Sequence, residues 1–484
     1  PNHIVVGINE RDPQIFDLYL VDVTTGEREL LKENPGYAAW LIDNELEPRF
    51  GFVPTPEGGG NVVDFEGTVF TVIPPEDFLA TQAIGFSDDN SAVYMIDSRN
   101  RDKAALTRVD ISSKQSTVLA TSDEADISEI LANPETNEPV AYSVDYLKSS
   151  WYALTPEAET DLAAITTRLD GSLSIVSTTR DMSRWIVQED STDKPGAYYL
   201  YDRAKGSVEP MLVTRPDLAN YDLAPMQAVV IEARDGLNLV SYVTLPPDSD
   251  ADGDGRPESP LPMVLAVHGG PWARDNFGYH PWHQWLANRG YAVLSVNYRG
   301  STGFGKAFTR AAIREFSGKM HDDLIDGVNW AVAEGIADPE KVSIAGGSYG
   351  GYATLVGVSF TPDTFACGVD IVGPSSLVTL IESFPEYWKP FLAGTWYTNV
   401  GDPANEEDRA DMLARSAISR IDDISVPLLV GQGQNDPRVT KQESDQLVDA
   451  MAAKEQQVTY VNFPDEGHGF ARPENRLAFY AVME

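Results

Sequence analysis

The sequence predicts a molecule of mixed class: an N-terminal β-propeller followed by a C-terminal α/β-hydrolase domain. Three observations carry that prediction. Up to about residue 225 the chain reads as short alternating strands separated by turns, with almost no helical periodicity. Beyond that point apolar runs alternate with helical stretches, the pattern of a mostly parallel sheet covered on both faces. Within this second part Ser348, Asp436 and His468 each follow an apolar run, in the chain order of α/β-hydrolases.

At 484 residues the chain is too long for one ordinary domain. We divide it into residues 1–225 and 226–484. A formal charge of −38, from 36 basic and 74 acidic side chains, argues against a nucleic-acid partner, which requires a basic face. It fits a solvated acidic surface. No apolar stretch reaches the length of a membrane span, so no membrane partner is expected. The single cysteine, Cys367, excludes an intramolecular disulfide and sits in an apolar run as a core residue. The chain starts at Pro1 without an initiator Met or a signal-peptide pattern, which predicts a processed or truncated start. The compartment is therefore left unassigned, and a homo-oligomer remains compatible with the sequence.

In the first part, an alternating strand ending in Asp, a polar turn and a second strand recur around Asp22, Asp110 and Asp202. The two intervals between these aspartates are each about twice the ~45-residue period of a four-stranded propeller blade. Weaker copies are expected between them, near 62–72 and 139–154, and 175–188 reads as a blade hairpin. About five blades fit this length, so the ring lacks its opening blades if its normal number is larger. A β-sandwich is the alternative.

In the second part, 229–245 reads as a hairpin turning at Asp235-Gly236. Strands are expected at 263–267, 292–297, 342–345, 368–372, 427–430 and 458–463. Helices are expected at 282–289, 322–334, 349–360 and 441–454.

The chemistry concentrates in four loops. Ser348 occupies a Gly-x-Ser-x-Gly turn between a strand-like run and a helical one, where glycines permit the sharp turn that exposes a nucleophile. The Tyr349 amide, opening the helix, is then one oxyanion donor. Of the six histidines, only His468 follows a strand-ending Asp near the C-terminus, which makes it the base. Asp436 is expected to orient it, ahead of Asp465 and Glu466, which lie too close to His468 in sequence to form a separate acid loop. His268-Gly-Gly-Pro271 matches the loop that supplies the second oxyanion amide. Gly270 is the expected donor with Gly269 as the alternative, and His268 holds the loop.

These motifs resemble the prolyl oligopeptidase family of serine peptidases. The resemblance rests on His268-Gly-Gly-Pro271, on Asn297-Tyr-Arg-Gly-Ser-Thr-Gly-Phe-Gly305, and on Gly346-Gly-Ser-Tyr-Gly-Gly-Tyr352. The Asp436 loop and Glu466-Gly-His-Gly-Phe470 complete it. It covers 226–484 directly and the first part only as the kind of domain the family carries in front. The loop at His268 looks closest to the acylaminoacyl-peptidase and dipeptidyl-peptidase-like bacterial branch. The dipeptidyl peptidase IV branch has there a Tyr that serves the oxyanion hole, so His268 implies a backbone donor. The resemblance further implies a specificity pocket walled by Tyr349, Pro374, Leu377, Leu380, Phe384 and Val439. These residues are apolar or aromatic and suit a hydrophobic side chain at P1, the residue whose carbonyl is attacked. It also implies that the aromatic stretch 384–391 lines or covers the cleft facing the propeller. No clear glutamate pair for a free amino terminus is visible in the first part, which leaves exopeptidase action open.

The spacing of Asp250, Asp252 and Asp254 is that of a Ca²⁺ loop, but Leu261 stands where an EF-hand has its bidentate Glu. A solvated acidic hairpin tip is the preferred reading, with a structural calcium as the alternative. No metal or cofactor is expected to take part in the chemistry. Lys306, Arg314 and Asp323 are expected on solvated faces. The sequence thus predicts a serine peptidase acting on short or N-acylated peptides through an acyl-enzyme, its propeller restricting substrate size. A carboxylesterase with the same triad is the alternative.

Overall fold

The structure, a computed structural model, describes residues 2–484. Five small antiparallel sheets precede one eight-stranded sheet. The molecule is a β-propeller followed by an α/β-hydrolase fold, as its sequence predicts.

Blade 1 comprises His3–Asp12, Ile15–Asp22 and Arg28–Lys32. Blade 2 comprises Ala39–Ile42, Pro48–Pro54, Gly60–Val63 and Val69–Ile73. Blade 3 runs from Gln82–Phe86 through Ala92–Asp97 and Ala105–Asp110 to Ser116–Ala120. Blade 4 contains Ile127–Ala132, Pro139–Asp145 and Ser149–Ala153, and blade 5 contains Ser172–Thr178, Arg184–Asp190, Ala197–Asp202 and Ser207–Val213.

The recurrent aspartate has a local cause. Asp22 Oδ1 accepts from the amide and hydroxyl of Thr24 at 2.7 and 2.6 Å, and Asp110 Oδ1 accepts from the Ser113 amide at 2.7 Å. In each turn the side chain replaces a missing ladder partner, which is why Asp recurs where the last two strands of alternate blades meet.

One expectation for this part is overturned. Blade 4 is followed by the helix Pro156–Thr166, where the sequence suggested almost no helix. Thr155 caps it by accepting from the Ala158 amide at 3.2 Å, Pro156 occupies its first turn, and Ala158, Leu162 and Ile165 pack with Trp185 and Tyr201 of blade 5. The cap and the proline were legible signals. The short apolar stripe was lost among flanking strands.

The large sheet is ordered Met226–Glu232, Asn238–Thr244, Ala292–Val296, Leu261–Val267, Ala337–Gly347, Cys367–Ile371, Leu428–Gly433 and Val458–Phe463. The first two strands form the expected antiparallel hairpin, and the second pairs antiparallel with the third. Every later pairing is parallel. Helices Pro281–Ala287 and Pro473–Met483 cover one face, and Lys319–Ala333 and Tyr349–Phe360 the other. Strands covered on both faces read as continuous apolar runs, and Ala292–Val296 is buried at every position. The loops carrying Gly269-Gly270, Ser348, Asp436 and His468 leave the C-terminal ends of parallel strands, where open α/β sheets bind ligands. Cys367 lies at the opposite end of its strand, half-buried, and burial pushes its thiol pKa up.

Lys306, Arg314 and Asp323 are not simply solvated, contrary to expectation. Asp323 is fully buried and accepts from the Arg299 amide and guanidinium at 2.7 to 2.9 Å, while Arg299 also reaches Asp235 in the hairpin turn. Lys306 donates to the buried Asp77, beside blade 2, at 2.7 Å. Arg314 pairs with Asp408 at 2.7 Å. These partners are distant in sequence, so only the fold brings each charge its counterion.

Candidate active site

Ser348 sits between the strand Ala337–Gly347 and the helix Tyr349–Phe360 with φ 58° and ψ −118°. A non-glycine residue in this region carries strain of about 1–3 kcal/mol, which the surroundings must hold. They do so through the Ser348 amide, which donates to Ile371 O at 2.8 Å, and through its carbonyl, which accepts from Tyr352 at 3.0 Å. The flanking glycines are there for close approach. A Cβ on Gly350 would lie 2.1 Å from the Val267 carbonyl oxygen, and one on Gly346 2.5 Å from the Gly350 carbonyl.

The imidazole of His468 directs Nδ1 to Asp436 Oδ2 at 2.7 Å. The other carboxylate oxygen, Oδ1, accepts from the amides of Arg438 and Val439 at 2.8 and 3.0 Å, so the buried Asp436 is fixed from both ends. Glu466, the rejected rival, instead braces the histidine loop by accepting from the amides of Ala471 and Arg472. Burial alone would raise its pKa, but the Asn475 side chain and these amides bring it below the usual value. The Asn435 amide donates to Glu466 O at 2.9 Å, which ties the acid loop to the histidine loop.

The other histidines are committed elsewhere. His268 is stacked on Tyr298 with ring centroids 4.5 Å apart and contacts Ser301 Oγ through Nε2 at 2.9 Å. Burial pushes its pKa down to about 4, so it stays a neutral brace for the glycine loop. His283 is held between Thr244 and Ser295, and His321 contacts Thr361. Among the described residues His468 is the one histidine facing a carboxylate.

Gly269 and Gly270 approach Ser348 from the strand Leu261–Val267. A Cβ on Gly269 would lie 3.4 Å from Ser348 Cβ. Among the described residues, the amides of Gly269, Gly270 and Tyr349 have no protein acceptor and are free to bind an oxygen.

Ser348 and His468 open into one cavity of about 290 Å³. The site residues named from sequence line it together: Gly270, Tyr349, Pro374, Leu377, Leu380, Phe384 and Val439. Ser348 and His468 share no hydrogen bond, a contact that commonly tightens only with substrate. Trp388, inside the aromatic stretch expected to line or cover the cleft, lines the cavity as well, and so do Phe316, Tyr352, Trp396 and Arg438, which were not named as its wall. Tyr352 and Arg438 lie inside motifs already singled out. Phe316 and Trp396 carry no local signal and arrive through folding.

The carboxylates of Asp250, Asp252 and Asp254 converge within 4.8 Å. Their oxygens accept from the turn's own amides, Asp254 and Gly255 onto Asp250, and Arg256 onto Asp254. No helix among the described residues is long and apolar enough to cross a membrane.

Residues 279–483 match the prolyl oligopeptidase family. Dipeptidyl aminopeptidase BIII of Pseudoxanthomonas mexicana is 48% identical over 100% of this chain and 71% of its own length. Dipeptidyl peptidase family member 6 of Caenorhabditis elegans is 36% identical over 99% of this chain and 69% of its own. Among solved structures, that of a puromycin hydrolase superposes with a TM-score of 0.74 at 20% identity, covering 97% of this chain and 73% of the other. The acylaminoacyl peptidase of Pyrococcus horikoshii gives 0.64 at 16%, covering 97% and 84%. At such identities these two speak to the fold alone.

Proposed function

The chain belongs to the prolyl oligopeptidase family and is a serine peptidase, and from that premise we propose that it cleaves short peptides after a hydrophobic residue through an acyl-enzyme on Ser348. The observation that carries this reading is a strained serine turn and an Asp436–His468 pair opening into the same apolar cavity.

In the proposed sequence, His468 Nε2 takes the proton of Ser348 Oγ as that oxygen attacks the peptide carbonyl. Asp436 holds the Nδ1–H and stabilises the imidazolium. The amides of Tyr349 and Gly270 receive the oxyanion. Collapse breaks the C–N bond as His468 protonates the leaving amine, and water then repeats the attack on the ester. The P1 side chain occupies the cavity among Pro374, Leu377, Leu380, Phe384 and Val439, none of which carries a charge.

Residues 1–225 form the access-restricting unit in this reading, and 226–484 the catalytic one. Two relatives named as dipeptidyl peptidases, aligned over nearly the whole chain, support removal of dipeptides from an amino terminus. The acidic loop at 250–254 is read as a self-braced hairpin tip, its carboxylates already serving turn amides.

The test is labelling with a fluorophosphonate, followed by rates on dipeptidyl anilides, N-acyl anilides and matched esters. Labelling at Ser348 with faster anilide than ester turnover is expected. Ester turnover alone would convert the reading to a carboxylesterase.

A further inference from the structure

The segment 384–398 has two faces that serve different parts of the molecule. Phe384, Trp388 and Trp396 line the Ser348 cavity, and Phe384 packs between the two indoles with ring centroids 5.0 and 4.8 Å away. Phe391, at the end of the stretch expected to line or cover the cleft, is not among the residues lining the Ser348 cavity. It lines a separate cavity of about 330 Å³ among blade residues, including Trp40, Phe50, Phe52, Phe78 and Met95.

Next to that aromatic socket the two backbones touch. A Cβ on Gly394 would lie 2.3 Å from Gly58 O and 3.0 Å from Phe78, and one on Gly58 would lie 2.8 Å from Ala393 O. Gly58 belongs to a turn of blade 2 and has φ +98°. The contact therefore excludes side chains on both partners. Gly394 itself lies in a π-turn, Ala393–Tyr397, in which the Tyr397 amide donates to Leu392 O at 2.8 Å. A π-turn shifts the direction of the side chains it carries, here Trp396. Blade 1 adds a further tie, with Gln14 Nε2 donating to Glu386 Oε2 at 2.9 Å.

We propose that blade 2 sets the shape of the P1 pocket: Phe391, which walls the blade cavity, and the Gly58–Gly394 contact are positioning elements for Trp388 and Trp396. The inference rests on reading the Ser348 cavity as the P1 pocket. It gives the propeller a part in choosing the residue cleaved, in addition to limiting substrate size. Catalytic-side anchors hold the far end of the segment, where Arg314 donates to Tyr397 O at 3.3 Å and the Arg314 amide to Asn399 O at 2.7 Å. Its middle is held by the blades, so loss of the socket frees the two indoles without touching the triad.

The test compares kcat/KM on two dipeptidyl anilides that share P2 and carry Phe or Ala at P1. Phe391→Ala and Gly394→Ala are each expected to lower kcat/KM on the Phe substrate about tenfold, mainly through KM, the scale on which pocket misplacement acts. On the Ala substrate the change is expected to stay below about threefold, and Phe391→Leu should restore most of the selectivity. Gly394→Ala leaves Phe391 itself in place, and carries the test if Phe391→Ala does not fold. Equal losses on both substrates, or an unchanged ratio in both variants, would overturn the inference alone. A wild-type enzyme indifferent to P1 size would overturn the pocket reading and this inference with it.

Discussion

Strand Ser149–Ala153 of blade 4 alternates half-buried and exposed positions, whereas Leu428–Gly433 of the large sheet is buried at all of its positions. The same extended backbone serves two designs. Ser149–Ala153 lies at the edge of its blade, whereas the inner strand Ala92–Asp97 of blade 3 is buried throughout, and the blade cores are small separate clusters around residues such as Phe50, Leu106 and Trp185. The catalytic part builds a continuous core on one face of a mostly parallel sheet. The strained turn at Ser348 is held within this core. The difference teaches how the two parts are built: the large sheet carries Ser348, Asp436 and His468 on loops at one end of a continuous core, and the blades carry small cores of their own.

The sharpest way to break that division is to remove the nucleophile. Ser348→Ala is expected to lower turnover by at least about 10⁴-fold while leaving the melting curve unchanged. Near wild-type rates would move the chemistry elsewhere. Asp436→Asn should cost about 10³- to 10⁴-fold, because the amide no longer orients and stabilises the His468 imidazolium.

A smaller effect probes the joint between the two parts. Lys306→Met leaves Asp77 buried without its cation and is expected to cost about 3 kcal/mol, measured by urea unfolding. Separation of one unfolding transition into two would show that this pair couples the parts, and an unchanged midpoint would deny it a role.

Acid should act mainly on the catalytic part, since His268, His280, His283 and His321 all lie there with burial pushing their pKa values down. For His268 and His321 the folded values fall to about 4, so between about pH 6.5 and 4 the unfolded chain binds more protons. Their contribution to stability is therefore complete above that window and lost as pH falls through it. Asp275, pushed up to about 7 by burial, acts in the opposite sense, as do Asp323, Asp370 and Glu443, whose pKa values burial also raises. Thermal melts at pH 7.5 and 4.5 test this, and equal midpoints would contradict it. The smallest expected effect is that of a chelator. With the Asp250–Asp254 carboxylates already used by the turn, melting should shift by less than about 1 °C, and a larger drop would mean a bound ion contributes.

The fold was legible wherever a local rule repeats. Asp22, Asp110 and Asp202 marked the turns of alternate blades because a hairpin turn needs an acceptor at that position whatever surrounds it. The parallel strands were legible because burial on both faces writes continuous apolar runs. Helix Pro156–Thr166 was not, since one short stripe of three apolar residues does not stand out between strands.

The site divides in the same way. The sequence by itself determined the elbow around Ser348, the Asp436 loop, the His468 loop and the glycine pair at 269–270, because each answers to backbone geometry within a few neighbouring residues. Only the tertiary structure decided that Asp436 Oδ2 meets His468 Nδ1, that Arg299 clasps Asp323, and that Phe316 and Trp396 complete the cavity. It alone seated Phe391 among the blades. Turn chemistry is local and is written in adjacent residues. Charge pairing and cavity walls join distant segments, and no local pattern encodes which segments meet.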